Sequence, residues 1–137
     1  MALHLKIVTP EKTIFSDTVG NAYLPGADGE LGVLDGHAAL VTALQPGELR
    51  YEKDGTTTVL AVGSGFAEVT QHQVNVLTDM AMGEDQIDEA KVEEAMKRAE
   101  EQLKGISHDH DAEEVAHLQA MIAKSLAQLK VKRRHHH

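Results

Sequence analysis

Residues 24–50 read LPGADGELGVLDGHAALVTALQPGELR, with Gly26, Gly29, Gly32, Gly36 and Gly47 set between short apolar runs. Glycines at this density mark tight turns and close backbone approach within β structure. The spacing Gly26-x-x-Gly29-x-x-Gly32 lacks the Gly-Lys-Ser/Thr of a phosphate loop, and no helix start follows it. The glycines are therefore read as turn residues. The acid Glu30 and the histidine His37 stand among them.

The flanking segments alternate with a period of two. In LHLKIVT, Leu3, Leu5 and Ile7 face one way and His4, Lys6 and Val8 the other. TTTVLAVG, GFAEVT and QVNVLTD are further short runs of β-formers. Turn signals separate them at Lys53-Asp54-Gly55, Gly63-Ser64-Gly65 and Thr70-Gln71-His72. Thr9-Pro10-Glu11 and Gln45-Pro46-Gly47 supply two more. Many short strands at this spacing predict a β-sandwich or flattened barrel over residues 1–83.

From Asp85 the period becomes helical. Ile87, Val92, Met96, Ala99 and Leu103 form one apolar stripe, and Val115, Leu118, Ile122, Ser125 and Leu129 a second. Glu93–Lys97 and Glu94–Arg98 are acid-before-base pairs at i,i+4. Gly105–Asp111 reads as the turn between the helices, and Asp111-Ala112-Glu113-Glu114 as a capped start. Residues 84–134 thus predict an antiparallel hairpin of two helices, each about 20 residues or ~30 Å long. Its stripes are rich in alanine, so the hairpin buries little apolar area and is expected to be held weakly. His135, His136 and His137 read as a tag remnant.

The formal net charge of −9 argues against nucleic-acid binding. Residues 1–83 carry 10 acids and 4 bases, whereas residues 84–137 carry 12 acids and 9 bases. The last bases cluster as Lys130, Lys132, Arg133 and Arg134, which suits an acidic partner or the negative end of a helix dipole. There is no cysteine, hence no disulfide, thiolate metal site or cysteine nucleophile. No apolar run approaches the roughly 20 residues of a membrane span, and no signal segment opens the chain. The expectation is a soluble, non-exported chain without direct lipid insertion.

No arrangement satisfies the nucleophile, base and oxyanion needs of a hydrolase. Gly63-Ser64-Gly65 is not a nucleophile elbow, so Ser64 is expected in a hairpin turn. His108, Asp109, His110 and Asp111, with His117 beyond, carry metal-competent atoms without a fixed ligand spacing. They are read as loop residues, and a metal-binding protein is kept as an alternative.

Several ordered blocks closely resemble the ε-subunit family of F-type ATP synthases. They are Leu5–Glu11 with Ile14-Phe15-Ser16, Gly29–Leu34 followed by Gly36-His37-Ala38 and Leu40-Val41-Thr42, Gly63–Val69, and Val74–Asp79, with a helical hairpin last. Ala39 replaces a usual proline and Ser64 a usual glycine, both mild changes in turns. The resemblance implies a non-catalytic subunit of a proton-translocating rotary enzyme, peripheral at the cytoplasmic face of a bacterial inner membrane. Its β domain would bind the γ subunit and the c-ring of Fo, with Glu30 and His37 at that end. Its mobile hairpin would inhibit ATP hydrolysis, placing Lys124, Lys130, Lys132, Arg133 and Arg134 against acidic segments of the catalytic β subunits.

Some relatives bind ATP through a motif Ile/Leu-Asp-x-x-Arg-Ala on the first helix. Ile87-Asp88-Glu89-Ala90-Lys91-Val92 is a degenerate version of it, and Lys124 and Gln128 stand where those relatives place arginines. Lysine grips phosphate less specifically than arginine. The expectation is no required cofactor and weak or absent ATP binding. A stand-alone nucleotide-sensing module is the alternative function.

Overall fold

The computed structural model describes residues 3–106 and 112–134. Ten strands come first: β1 Leu3–Val8, β2 Thr13–Val19, β3 Asn21–Gly26, β4 Gly29–Leu34, β5 Leu40–Leu44, β6 Gly47–Lys53, β7 Thr56–Val62, β8 Gly65–Val69, β9 Gln73–Thr78 and β10 Ala81–Gly83. Helices α1, Glu89–Lys104, and α2, Ala112–Arg133, follow.

The strands pair in the order β10-β7-β6-β3-β5-β8-β9-β1-β2, with β4 paired to β3. β1 and β9 run parallel, the others antiparallel. β3 and β5 share a single register pair, Gly26 with Leu44, and there the sheet folds over into two layers. The period-two reading holds: Leu3, Leu5 and Ile7 are fully buried, as are Val74 and Val76. They meet Leu24, Leu49, Tyr51 and Val62 of the other layer in one core. Nearly closed, the sandwich is sealed where β2 approaches β6. The rings of Phe15 and Tyr51 stack there with centroids 4.4 Å apart, and Lys53 pairs with Asp17.

Local chemistry explains the turns. Asp54 (φ 52°) and Gly55 (φ 77°) are both left-handed, as a two-residue hairpin between right-twisted strands requires. Ser64 departs from expectation, because it is not in a hairpin turn. β7 pairs with β6 and β10, whereas β8 pairs with β5 and β9, so the chain changes layers at Ser64. The crossing is tight. A Cβ at Gly63 would strike the Asp79 carboxylate, and one at Gly65 the Leu77 carbonyl.

The first helix also starts later than its apolar stripe suggests. Glu84–Gln86 is a 3-10 turn, in which the Gln86 side chain accepts the Gly83 N–H at 3.0 Å. Ile87 is extended and buried, and Asp88 caps α1 by accepting the Lys91 N–H at 3.2 Å. Ile87 thus carries the helical spacing without lying in the helix. Glu94 pairs with Arg98 as expected, but Glu93 bonds to Arg133 of α2 instead of turning to Lys97. The expected turn begins at Gly105, which ends α1 with its N–H on the Glu101 carbonyl at 3.2 Å; its residues 107–111 lie outside the described residues, as do 135–137.

Two consequences are measurable. Gly65→Ala should lower unfolding free energy in urea by about 1–3 kcal/mol, because a rigid backbone carbonyl blocks the new methyl. An unchanged midpoint would contradict the tight corner. The hydrogen bond from Lys53 lowers the Asp17 pKa below its ordinary value, and that from Asp17 raises the Lys53 pKa. The pair therefore stabilises the fold above the ordinary carboxylate range. That contribution fades as pH falls through the lowered Asp17 value. The stability gap between the parent and Lys53→Gln at neutral pH should close on acidification, and a pH-independent gap would refute the pair.

Candidate functional interface

Two surfaces stand out. The first is the outer face of the β5-β8-β9-β1 layer. In register, Ala43 lies opposite Phe66, Phe66 opposite Leu77, and Leu77 opposite Val8. This makes an apolar row straight across four strands. Phe66 is 60% exposed and Leu77 55%, and Val41, two residues from Ala43 on the same face, is 67% exposed. Beside the row, Val8, Pro10, Gly65 and Leu77 line an open hollow of about 460 Å³. Contiguous exposed apolar surface of this kind marks a contact for another macromolecule. No site residue was expected here, although strand parity carries the signal. Ala67 and Val69 point inward, so Phe66 and Glu68 must point out.

The second surface is the opposite face of the sandwich, which α2 covers. The end of β7 is buried on both sides: Leu60 and Val62 belong to the main core, and Ala61 to a second cluster with Met80, Ile87, Val92, Leu129 and Val131. Around this small apolar footprint lie polar contacts. Lys124 pairs with Asp79 at 3.7 Å, Lys132 donates to the Glu84 carbonyl at 3.2 Å, and Arg134 pairs with Glu48 of β6. Arg133 bonds to Glu89 at 2.6 Å and to Glu93. The Glu89 bond, chiefly, holds its guanidinium above its already high pKa.

The residues singled out from sequence fall into three separate places. Glu30 is on β4, paired at 2.6 Å with Arg50, whose guanidinium lies 4.8 Å from the Tyr23 ring centre. His37 lies past the other end of β4. Its ring Nδ1 is 2.7 Å from the Ala38 carbonyl, and Gly36 donates to the Gln71 carbonyl at 2.6 Å. The chain therefore does not bring Glu30 and His37 together at one point. Lys124, Lys132, Arg133 and Arg134 all contact this chain's own acceptors, while Lys130 points to solvent.

Of the degenerate ATP motif, Ile87 is a packing residue and Asp88 a helix cap, leaving Lys91 exposed. Gln128, expected to replace an arginine, instead contacts Met82 Sδ at 3.1 Å. His108–Asp111 lie outside the described residues. His117 is exposed on α2, beside a small hollow shared with Asp79 and Lys124. Among the described residues no group of three or more histidines and carboxylates is arranged to hold a metal. No described helix is long and apolar enough to cross a membrane.

Comparison with known proteins agrees with this architecture. Residues 2–84 match the family model "ATP synthase, Delta/Epsilon chain, beta-sandwich domain" and residues 85–133 match "ATP synthase, Delta/Epsilon chain, long alpha-helix domain". The ATP synthase epsilon chain of Chloroflexus aggregans is 41% identical over 135 residues, covering 98% of this chain and 95% of that protein. The epsilon chain of Desulforamulus reducens is 47% identical over 114 residues, covering 82% and 86%. A chain in the Euglena gracilis mitochondrial ATP synthase structure superposes with a TM-score of 0.77 over 94% of this chain and 79% of that one, at 23% identity, showing a shared fold. With both domain models matched in order across one sandwich and one helical pair, this chain belongs to the ATP synthase delta/epsilon-chain family, on its epsilon side.

Proposed function

We propose that the chain is the ε subunit of a rotary ATP synthase's central stalk, with no catalysis of its own. The sandwich couples proton flow to ATP synthesis by docking on the γ subunit and the c-ring of Fo. The hairpin regulates the enzyme by rising from the sandwich to inhibit ATP hydrolysis, its basic end then facing acidic segments of the catalytic β subunits. The assembly places the chain peripherally on the cytoplasmic face of a bacterial inner membrane. The observation that carries the docking reading is the apolar row Ala43-Phe66-Leu77-Val8, on the face left free by the helices. The γ subunit is assigned to that row, and the polar end near His37 to the c-ring.

ATP is not a strong ligand on this reading. Two of the three motif residues already have structural duties, and Arg133 is engaged by Glu89 and Glu93. A phosphate chain would have to displace those bonds.

The docking claim is tested by titrating γ with the full chain and with Phe66→Glu and Leu77→Glu. Both substitutions sit on the exposed face and should leave the melting temperature nearly unchanged. Each should weaken γ binding by about 30-fold or more, in the range of a buried hot-spot residue. Parent-like affinity in both would refute the assignment. Separately, calorimetric titration of the isolated chain with ATP should give a Kd no tighter than about 1 mM, or no heat at all. Micromolar binding would reverse the ligand claim and favour a nucleotide sensor.

A further inference from the structure

Glu48 is the most unusual acid of the described sandwich. It lies on β6 opposite Ala61 of β7, on the outer face, and only 8% of its side chain is exposed. Ala61 is itself buried, a member of the second cluster that also holds Leu129 and Val131 of α2. Its Oε1 faces the Arg134 guanidinium and no other polar group among the described residues. Among the described residues, its one cationic partner is Arg134 from the end of α2. Without α2 above it, Glu48 would be a hydrated acid on an open strand. The closed hairpin is what takes it out of water, so its free energy differs between the hairpin's two positions.

We infer that Glu48 and Arg134 form a charge latch that holds α2 shut on the sandwich, and that the hairpin is released only when this pair breaks. The inference rests on the proposed regulatory reading for its significance, but not for its test. Two consequences follow from elementary electrostatics. Removing Arg134 leaves a buried carboxylate unpaired, which penalises the closed form alone. Removing Glu48 as well removes that penalty, so the closed form should recover. The same basic end of α2 is the part assigned to acidic partner segments, so the latch also masks that surface until release. A ligand or partner shifts the hairpin only through its differential affinity for the two positions, and Glu48 sets the level against which it competes.

The chain has no cysteine, which permits a direct readout. Ala61→Cys places a thiol under α2 at a site that is 0% exposed, and its labelling rate reports opening even when the open form is rare. In that background Arg134→Ala should raise the labelling rate about tenfold, a moderate value because Arg134 itself stays partly in solvent. Adding Glu48→Ala should return the rate to within about threefold of the parent. Lys130→Ala, the exposed neighbour, should leave it unchanged. A second thiol at Ala67→Cys, inside the sandwich core, must stay protected throughout, so that opening is separated from loss of the fold.

Parent-like labelling in Arg134→Ala would overturn the latch. So would a double variant as fast as Arg134→Ala, which would assign the effect to the helix end alone. Neither measurement involves γ or ATP. Failure here leaves the stalk reading standing, and failure to bind γ leaves the latch standing.

Discussion

The last three residues of strand β7 are buried on both faces, with Leu60 and Val62 directed into the sandwich and Ala61 covered by α2. Most strands of an antiparallel sandwich need to satisfy only one face. Here one short run serves two cores, and the rest of the arrangement follows from it. The main core is large and fixes the sandwich. The second is small, built from Ala61, Met80, Ile87, Val92, Leu129 and Val131, and it fixes the hairpin. Because the two share a strand, any change in how the hairpin sits is felt directly by the sheet beneath it.

The second cluster explains why charge matters so much at this face. Burial of six modest side chains gives limited stabilisation, and ordering the helices costs conformational entropy. The balance is then set by peripheral contacts: Lys124 with Asp79, Lys132 with the Glu84 carbonyl, Arg134 with Glu48. Exposed ion pairs of this kind contribute little each and weaken with salt. Arg134–Glu48 differs because its acid is buried. Meanwhile the opposite face of the molecule keeps its apolar row uncovered. One side of the sandwich is thus closed by its own chain, and the other left for a partner.

The sandwich was largely legible in the sequence because strand parity is a local property. Leu3, Leu5 and Ile7 declare their burial by spacing alone. The hairpin's existence was equally legible, but its boundary was not. Ile87 continues the helical stripe by coincidence of spacing, while it is buried in extended conformation ahead of the Asp88 cap. Ser64 reads as a hairpin residue because turn chemistry looks the same whether a chain returns to its neighbour or crosses between layers. The run Val59-Leu60-Ala61-Val62 breaks the alternation, and this was the available sign of a second covered face. Glu48 gave no such sign. An acid in a strand reads as solvent-facing, and only the docking of a helix more than 60 residues later buries it. The basic cluster at the end of α2 was visible, but spacing could not show that the chain's own acids occupy most of it.

The central claim is a sandwich that docks and a hairpin that regulates. It is tested most directly by ATP hydrolysis in F1 depleted of its ε subunit, supplemented with the full chain or with residues 1–83. The account predicts that the full chain slows hydrolysis, while the shorter one binds and does not. Equal inhibition by both would move the brake to the sandwich. Absence of both binding and inhibition would contradict the account outright.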